Sequence, residues 1–426
     1  MKKISMLSLL ILLTLISSVF TPCGNASLEL WSQTYGSETE AETANSLVET
    51  SDGGYAMAGG AIAIGLSYDF WLVKTDRNGS IQWNQSFGGT EMNAEIAQSL
   101  VEAADGGYTI AGGTHSFGAG SYDCWLVKTD ANGNTQWNKT YGGQEWDEAN
   151  SLVETSDGGY AMAGRTESFG AGSSDFWVIR TDSNGNIIWE KTYGGTMYET
   201  ANSLVETTDG GYAITGSTTS FGAGNFDFWL IKTEANGKMQ WNQTYGGTEP
   251  DYAHSLVETS DGGYAIAGRT ESFGAGKDDF WLIKTDKFGN MEWNQTYGGT
   301  ESDRADSLVV ASDGGYTLAG NTYSFGAGSY DFWLVKTDGL GNIEWNQTYG
   351  GAGDERANSL VKTSDGGYGL AGYTLSHGNG NMDFLVIKTD NNGIIPEFPS
   401  WIILPMFLIT TVVIVFCKKK VWRRPL

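Results

Sequence analysis

The stretch 255–300, SLVETSDGGYAIAGRTESFGAGKDDFWLIKTDKFGNMEWNQTYGGT, decides the fold, because the chain from about Leu28 to Ile394 is this sentence repeated. A tryptophan ahead of the TYGG-like signature stands at Trp31, Trp83, Trp137, Trp189, Trp241, Trp293 and Trp345, so the period is 52 residues with one step of 54. Self-similarity at such a period marks a repeat architecture. Each unit holds four short runs rich in β-branched and aromatic residues, separated by turn signals. These are strand A (SLVET, 255–259), strand B (YAIAG, 264–268), strand C (FWLIKTD, 280–286) and strand D (MEWNQTY, 291–297). Between A and B, Asp261-Gly262-Gly263 offers the positive φ angles of a tight hairpin.

Four antiparallel strands per unit and seven units predict an all-β, seven-bladed β-propeller with four-stranded blades packed face to face. Trp293 on D and the pair Phe280 and Trp281 on C are expected to fill the space between blades. An open β-solenoid is the alternative, but its rungs are usually shorter and it needs end caps. The chain ends favour a closed ring. A spare D-like strand, LELWSQTY (28–35), opens the array, and the last unit lacks its own D strand. The N-terminal strand is therefore expected to complete the last blade, which removes two exposed sheet edges.

Outside the array, residues 1–26 read as a secretory signal: Met1-Lys2-Lys3, an apolar run, and a small-x-small cleavage site after Ala26. Cys23 raises a lipoprotein alternative, which Pro22 fits poorly. The propeller occupies 27–394, a linker 395–400, an apolar segment 401–417 and a basic tail 418–426. Seventeen helical residues span about 25 Å, short but workable for a bilayer core. The basic tail is expected to stay cytoplasmic and the propeller to lie outside.

The C-terminal layout, with Pro396-Glu397-Phe398-Pro399 before one apolar span and a basic end, resembles the PEF-CTERM sorting tails of archaeal surface proteins. That resemblance implies export and processing by an archaeosortase-type transpeptidase, with an uncleaved membrane anchor as the alternative. The segments SDGGYAIAG and DFWLIKTD with a Gly-Asn turn resemble delta-60 propeller repeats. TDANGNTQW (129–137) is similar to the tryptophan-docking segments of quinoprotein propellers. Both resemblances speak to scaffold, and fold does not carry function.

The formal net charge is −25, from 50 acidic and 25 basic side chains. Nucleic acid and anionic surfaces are therefore unsuitable partners, and cations, high salt or simple solubility suit the chain better. Three cysteines, Cys23, Cys124 and Cys417, fall in different compartments of this layout, so no disulfide is expected.

Sequons recur on strand D at Asn84, Asn138, Asn242, Asn294 and Asn346, with Asn78 in a turn. Since D is the outermost strand of a propeller blade, glycans there would coat the rim. Duplication of a polar strand position is the plainer explanation, and Ser32 and Glu190 stand at the same position in two units.

Ligands are expected on the face where the D–A and B–C loops emerge. In every D–A loop a carboxylate stands two residues before the alanine at the opening of strand A: Glu42, Glu95, Asp147, Glu199, Asp251, Asp303 and Glu355. Seven acids near a channel mouth would suit Ca²⁺, which prefers oxygen ligands. Alternatively, each acid satisfies the same buried backbone donors in its own blade. The same structural reading applies to Asp69, Asp123, Asp175, Asp227, Asp279, Asp331 and Asp383 before strand C. Turns such as 130–134 are too short for a calcium loop. Individuality is confined to Met92, Asn93, Trp146, Met197, Tyr198, Pro250, Tyr252, Arg304 and Arg356, among which Trp146 would stack on a sugar ring or a partner side chain.

Catalytic signals are weak. His115, His254 and His377 lie in different units with no repeated metal spacing, and carboxylates are too plentiful to single out an acid/base pair. The expected function is an extracellular, membrane-anchored binding, adhesion or cell-envelope module with a protein or glycan ligand and no dedicated cofactor. A surface carbohydrate-active enzyme is the alternative.

Overall fold

The computed structural model describes residues 30–37, 41–63, 67–89, 93–378 and 382–395. The expected signal segment, Pro396-Glu397-Phe398-Pro399, the 401–417 span and the basic tail lie outside the described residues. Among the described residues no helix is long and apolar enough to cross a membrane.

Seven four-stranded antiparallel sheets are found among the described residues, six with their strands in sequence order and one whose outer strand comes from the start of the chain. In the fifth blade the strands are Asp251–Glu258 (A), Tyr264–Thr270 (B), Asp279–Thr285 (C) and Met291–Tyr297 (D). Strand A thus starts four residues earlier than its apolar pattern predicts. Asp251, Tyr252 and Ala253 pair with Thr270, Arg269 and Gly268, and this backbone pairing overrides the loop-like character of the polar residues. The expected roles of the two turn glycines also separate. Gly262 has a φ of 79°, but Gly263 does not share that region. Gly263 is required by proximity, since a Cβ there would stand 2.1 Å from the Thr285 carbonyl oxygen.

The A–B turn is anchored from below by a buried cation. Lys284 Nζ lies 2.8 Å from Asp261 and 2.7 Å from the Thr285 carbonyl oxygen, and Lys74–Asp52 and Lys232–Asp209 repeat the pair. Each Lys stem is buried while its carboxylate faces water, so the ammonium is held without full removal from solvent.

Blades meet through aromatic side chains. Phe280 is sealed and packs on Trp333 of the next blade with ring centroids 4.6 Å apart. Trp281 is also sealed, whereas Trp293 on D sits half-buried at the outer margin, edge-on to Tyr316 of the next blade. The next blade's C–D turn completes this joint. Tyr297 donates its hydroxyl to the Gly341 carbonyl at 2.7 Å, and a Cβ on Gly341 would stand 2.8 Å from the Trp293 ring. Full burial of one such aromatic contributes roughly 1.5–3 kcal/mol, and the joint recurs around the ring.

The N-terminal strand, Trp31–Tyr35, pairs antiparallel with Asp383–Thr389, so the last blade takes its outermost strand from the start of the chain. The seam beyond it repeats the other seams. Asn358 Nδ2 donates to the Ala44 carbonyl at 2.9 Å, the Leu47 N–H to Ser359 Oγ at 3.1 Å, and the Ser364 N–H to Glu49 at 2.6 Å. Cys124 is a buried free thiol.

Candidate functional site

Strand A is innermost, and each A strand carries a β-bulge one residue after its alanine. The extra residue lets the chain turn one side chain toward the axis. Asn45, Gln98, Asn150, Asn202, His254, Asp306 and Asn358 come from these bulges and together line an axial cavity of about 260 Å³. The ring is polar throughout. The sequence signal for it was the Ala-x-Ser triplet at the opening of each SLVET-like run, which is Ala-Asn-Ser in four repeats, with Gln98, His254 and Asp306 as the departures.

The seven acids expected at the channel mouth are not around it. Each belongs to strand A itself and is at most 1% exposed. Glu199 accepts from the Gly195 N–H at 2.8 Å and from the Thr218 hydroxyl and Ser220 N–H at 3.0 Å. Glu355 accepts from Gly351, Thr374 and Ser376 in the same way, and Asp147 from Gly143 and Ser168. Strand alternation turns the acid into the joint between blades, where it ties the incoming loop to the end of strand B. Among the described residues no three His, Cys, Asp or Glu side chains converge on one point.

Facing each acid across the joint is the aspartate that opens strand C of the preceding blade. Asp227 Oδ1 and Asp251 Oδ2 lie 1.7 and 2.9 Å from where a Cβ on Gly246 would stand, and Gly298 separates Asp279 from Asp303 at 1.8 and 2.8 Å. Only glycine allows this approach. Asp227, Asp279 and Asp331 each accept two backbone N–H groups on Oδ2 and none on Oδ1. Burial, with the facing carboxylate adding to it, pushes these three aspartates above the ordinary range. Burial opposes ionisation of Glu355 as well, but the Gly351 N–H and the Thr374 and Ser376 hydroxyls outweigh it and hold the carboxyl low. In the Asp331–Glu355 pair the two carboxyls are therefore driven in opposite directions, Asp331 up and Glu355 down.

The residues that differ between repeats gather where A and C strands begin and B strands end. Trp146 is half-buried, stacks on Tyr122 at 4.2 Å and meets His115 edge-on, with the Arg165 guanidinium 5.3 Å above it. Arg165 also binds Glu148 at 2.8 Å and the Tyr198 hydroxyl. Arg269 lies 4.1 Å over Tyr252 and reaches Asp278, which Arg304 approaches at 3.0 Å from the next blade. Although burial works against it, the Ser302 hydroxyl and these two guanidiniums hold Asp278 below the usual carboxylate range. Arg356 covers Tyr330 at 4.5 Å. Met197, Phe226, Pro250 and Tyr252 help line a cleft of about 350 Å³ between two blades of this belt.

The sequon asparagines are exposed on strand D, and each also serves its blade. Asn242 and Asn294 accept the indole N–H of Trp229 and Trp281 at 3.1 Å, and Asn84, Asn138 and Asn346 repeat the bond. Where Glu190 stands instead, the Trp177 indole N–H has no partner.

Fold and site together define a seven-bladed β-propeller of near-identical repeats with a polar axial ring and one individualised face. No known protein-family model matches the chain. A 188-residue segment is 26% identical to the regulatory protein FlaEY of Caulobacter vibrioides, covering 38% of this chain and 20% of that protein. The chain thus spans about a fifth of that relative's length. Among solved structures, the Staphylococcus aureus virginiamycin B lyase is similar at 9% identity, with a TM-score of 0.52 over 85% of this chain and all of that one. The WD40 domain of Neurospora crassa Pan2 is similar at 12% identity and a TM-score of 0.49, over 82% and 89% of the two chains. At these identities the likeness concerns the fold.

Proposed function

We propose that the chain is a binding module of the cell surface, whose macromolecular partner docks on the arginine–aromatic belt around Trp146, Tyr252, Arg304 and Arg356. One observation carries this reading: blades that are otherwise near copies differ from one another chiefly on this face. Tyr, Trp and Arg are the side chains that dominate binding energy at protein interfaces, because they desolvate large areas at small entropic cost. The partial likeness to a protein described as regulatory supports a protein partner over a glycan or a small substrate. The test is a protein and glycan array probed with the purified propeller. Tyr252→Ala and Arg356→Ala are expected to weaken binding at least tenfold, about 1.4 kcal/mol, without lowering the melting temperature. Binding that survives both changes would place the ligand elsewhere.

In this reading the segment before residue 27 directs export, and the 401–417 span either stays as the anchor or is processed by an archaeal sorting transpeptidase that recognises Pro396-Glu397-Phe398-Pro399. Protease added to intact cells should digest the propeller and spare the basic tail. Digestion of the tail with a protected propeller would reverse the orientation.

A further inference from the structure

Both ends of the described chain leave the propeller on one face. The first strand begins at Trp31 beside Lys388, and strand Asp383–Thr389 runs into the turn 390–394, which the Asp390 N–H closes on the Ile394 carbonyl at 3.1 Å. Ile395 then packs beside Trp345 and Tyr349 at the seam of the sixth and seventh blades. This is the face of the A–B and C–D turns, opposite the arginine–aromatic belt. Six residues separate Ile395 from the opening of the apolar segment at Trp401, and six extended residues reach about 20 Å. With 401–417 held in a bilayer, the turn face next to that seam is held close to the bilayer surface.

The same sector carries two side chains that the repeat does not ask for. The third position of the C–D turn is asparagine in five blades, Asn78, Asn132, Asn184, Asn236 and Asn392, but Phe288 in the fifth and Leu340 in the sixth. The turn itself is unchanged. Phe288 and Leu340 each donate a backbone N–H at 2.8 Å to the aspartate that opens the turn, as Asn132 and Asn184 do at 2.9 Å, and Gly289 and Gly341 keep φ angles of 78° and 80°. Nor do the two side chains enter the core, since Phe288 is 57% and Leu340 66% exposed. Met291, Ile343 and Ile394 extend the exposed apolar surface along the same three blades. Elsewhere on this face the exposed aliphatics, Ile81, Ile187 and Ile188, lie on D strands of blades whose turn tips are asparagine. Apolar side chains at adjacent turn tips, beside a short tether, are placed to enter the headgroup level of a membrane. The chain is too acidic to be drawn to anionic lipid, so the tether supplies proximity and the contact itself is apolar.

We propose that the turn face of the fifth and sixth blades rests on the lipid bilayer, with Phe288 and Leu340 entering its headgroup region. The inference rests on the anchored reading given above, with the 401–417 span retained. It turns the partner-binding belt away from the membrane, toward an approaching macromolecule.

The experiment is photo-crosslinking of the full-length protein in phosphatidylcholine vesicles that carry a labelled phosphatidylcholine tracer. Benzoylphenylalanine is placed singly at Phe288 or Leu340, at Asn132 or Asn184 across the ring, or at Met197 on the opposite face. Lipid adducts at 288 and 340 should exceed those at the other three positions severalfold. In the double variant Phe288→Asn, Leu340→Asn, which restores the residue of the other repeats, lipid adducts from benzoylphenylalanine at Ile343 should fall about tenfold. The melting temperature in detergent should stay unchanged, which a packing role for the two side chains would not allow. Vesicle flotation of the protein with equal lipid adducts at all five positions would overturn this proposal alone. Chain-to-chain adducts dominating at 288 and 340 would do the same and place a second copy on this face. Failure of the full-length protein to float would overturn the anchor and the contact together.

Discussion

Removal of residues 28–35 is expected to unfold the propeller rather than trim it. The deletion takes away the five-residue pairing of Trp31–Tyr35 with strand Asp383–Thr389. It also removes the Tyr35 hydroxyl bond to the Gly79 carbonyl at 2.7 Å and the edge contact of Trp31 with Tyr55 at 5.5 Å. Burial of Tyr35 contributes about 1.5–3 kcal/mol and half-buried Trp31 adds to it, against a total stability on the order of 5–15 kcal/mol for a typical domain. The strand left behind, DFLVIKT, is buried along its whole length, so its uncovered edge would seek another chain. Calorimetry and gel filtration should show loss of the cooperative transition together with association. A synthetic peptide of the deleted segment should restore the transition in trans. An unchanged melting curve for the deletion would mean that the ring does not depend on its closing strand.

The second large effect lies in the paired carboxyls between blades. Replacing Asp303 by Ala strands the Gly299 N–H, the Thr322 hydroxyl, and the Ser324 hydroxyl and N–H, all of which the carboxylate accepts. With a buried unsatisfied donor costing about 1–3 kcal/mol, the loss should reach at least about 3 kcal/mol. Asp279 facing it should behave in the opposite way. Its Oδ1 lacks a donor and burial raises its pKa, so Asp279→Asn, which supplies an N–H in place of a carboxyl proton, should stabilise the protein at neutral pH by about 1 kcal/mol.

A carboxyl whose folded pKa lies above its unfolded value binds its proton more tightly in the native state. Its contribution is complete below about pH 4 and is lost as pH rises through the folded pKa. Asp227, Asp279 and Asp331 are of this kind. Asp52 and Asp209 are of the other: burial works against them, but hydrogen bonds from Thr50 and Gly54 or Thr207 and Gly211, with Lys74 or Lys232, hold them at about 2. Their contribution is present above about pH 4 and lost as pH falls toward 2. The melting temperature should therefore peak on the acid side of neutrality, and Asp279→Asn should flatten the limb between that peak and pH 7. A melting temperature rising steadily to pH 7 would contradict the upward shift of these three aspartates.

Sequence alone determined the architecture. A 52-residue period with four strand-like runs leaves few alternatives to a propeller, because each unit must bury both faces of its sheet against copies of itself, and a D-like strand spare at one end and missing at the other dictates how the ring closes. The turn signals and the aromatic joints, Phe280 and Trp281 above all, were equally legible from local pattern. Tertiary structure decided the site. Whether Asp251 or Asp303 faces a channel or a blade joint depends on where strand A begins, and the four residues ahead of the SLVET-like run gave no local sign that pairing with strand B would extend through them. The bulge that turns His254 and Asp306 to the axis is likewise a matter of register between strands. Only the packing of one blade against the next brings those two residues, 52 positions apart, to 3.2 Å, because neighbours across a blade seam are one whole repeat apart in the chain.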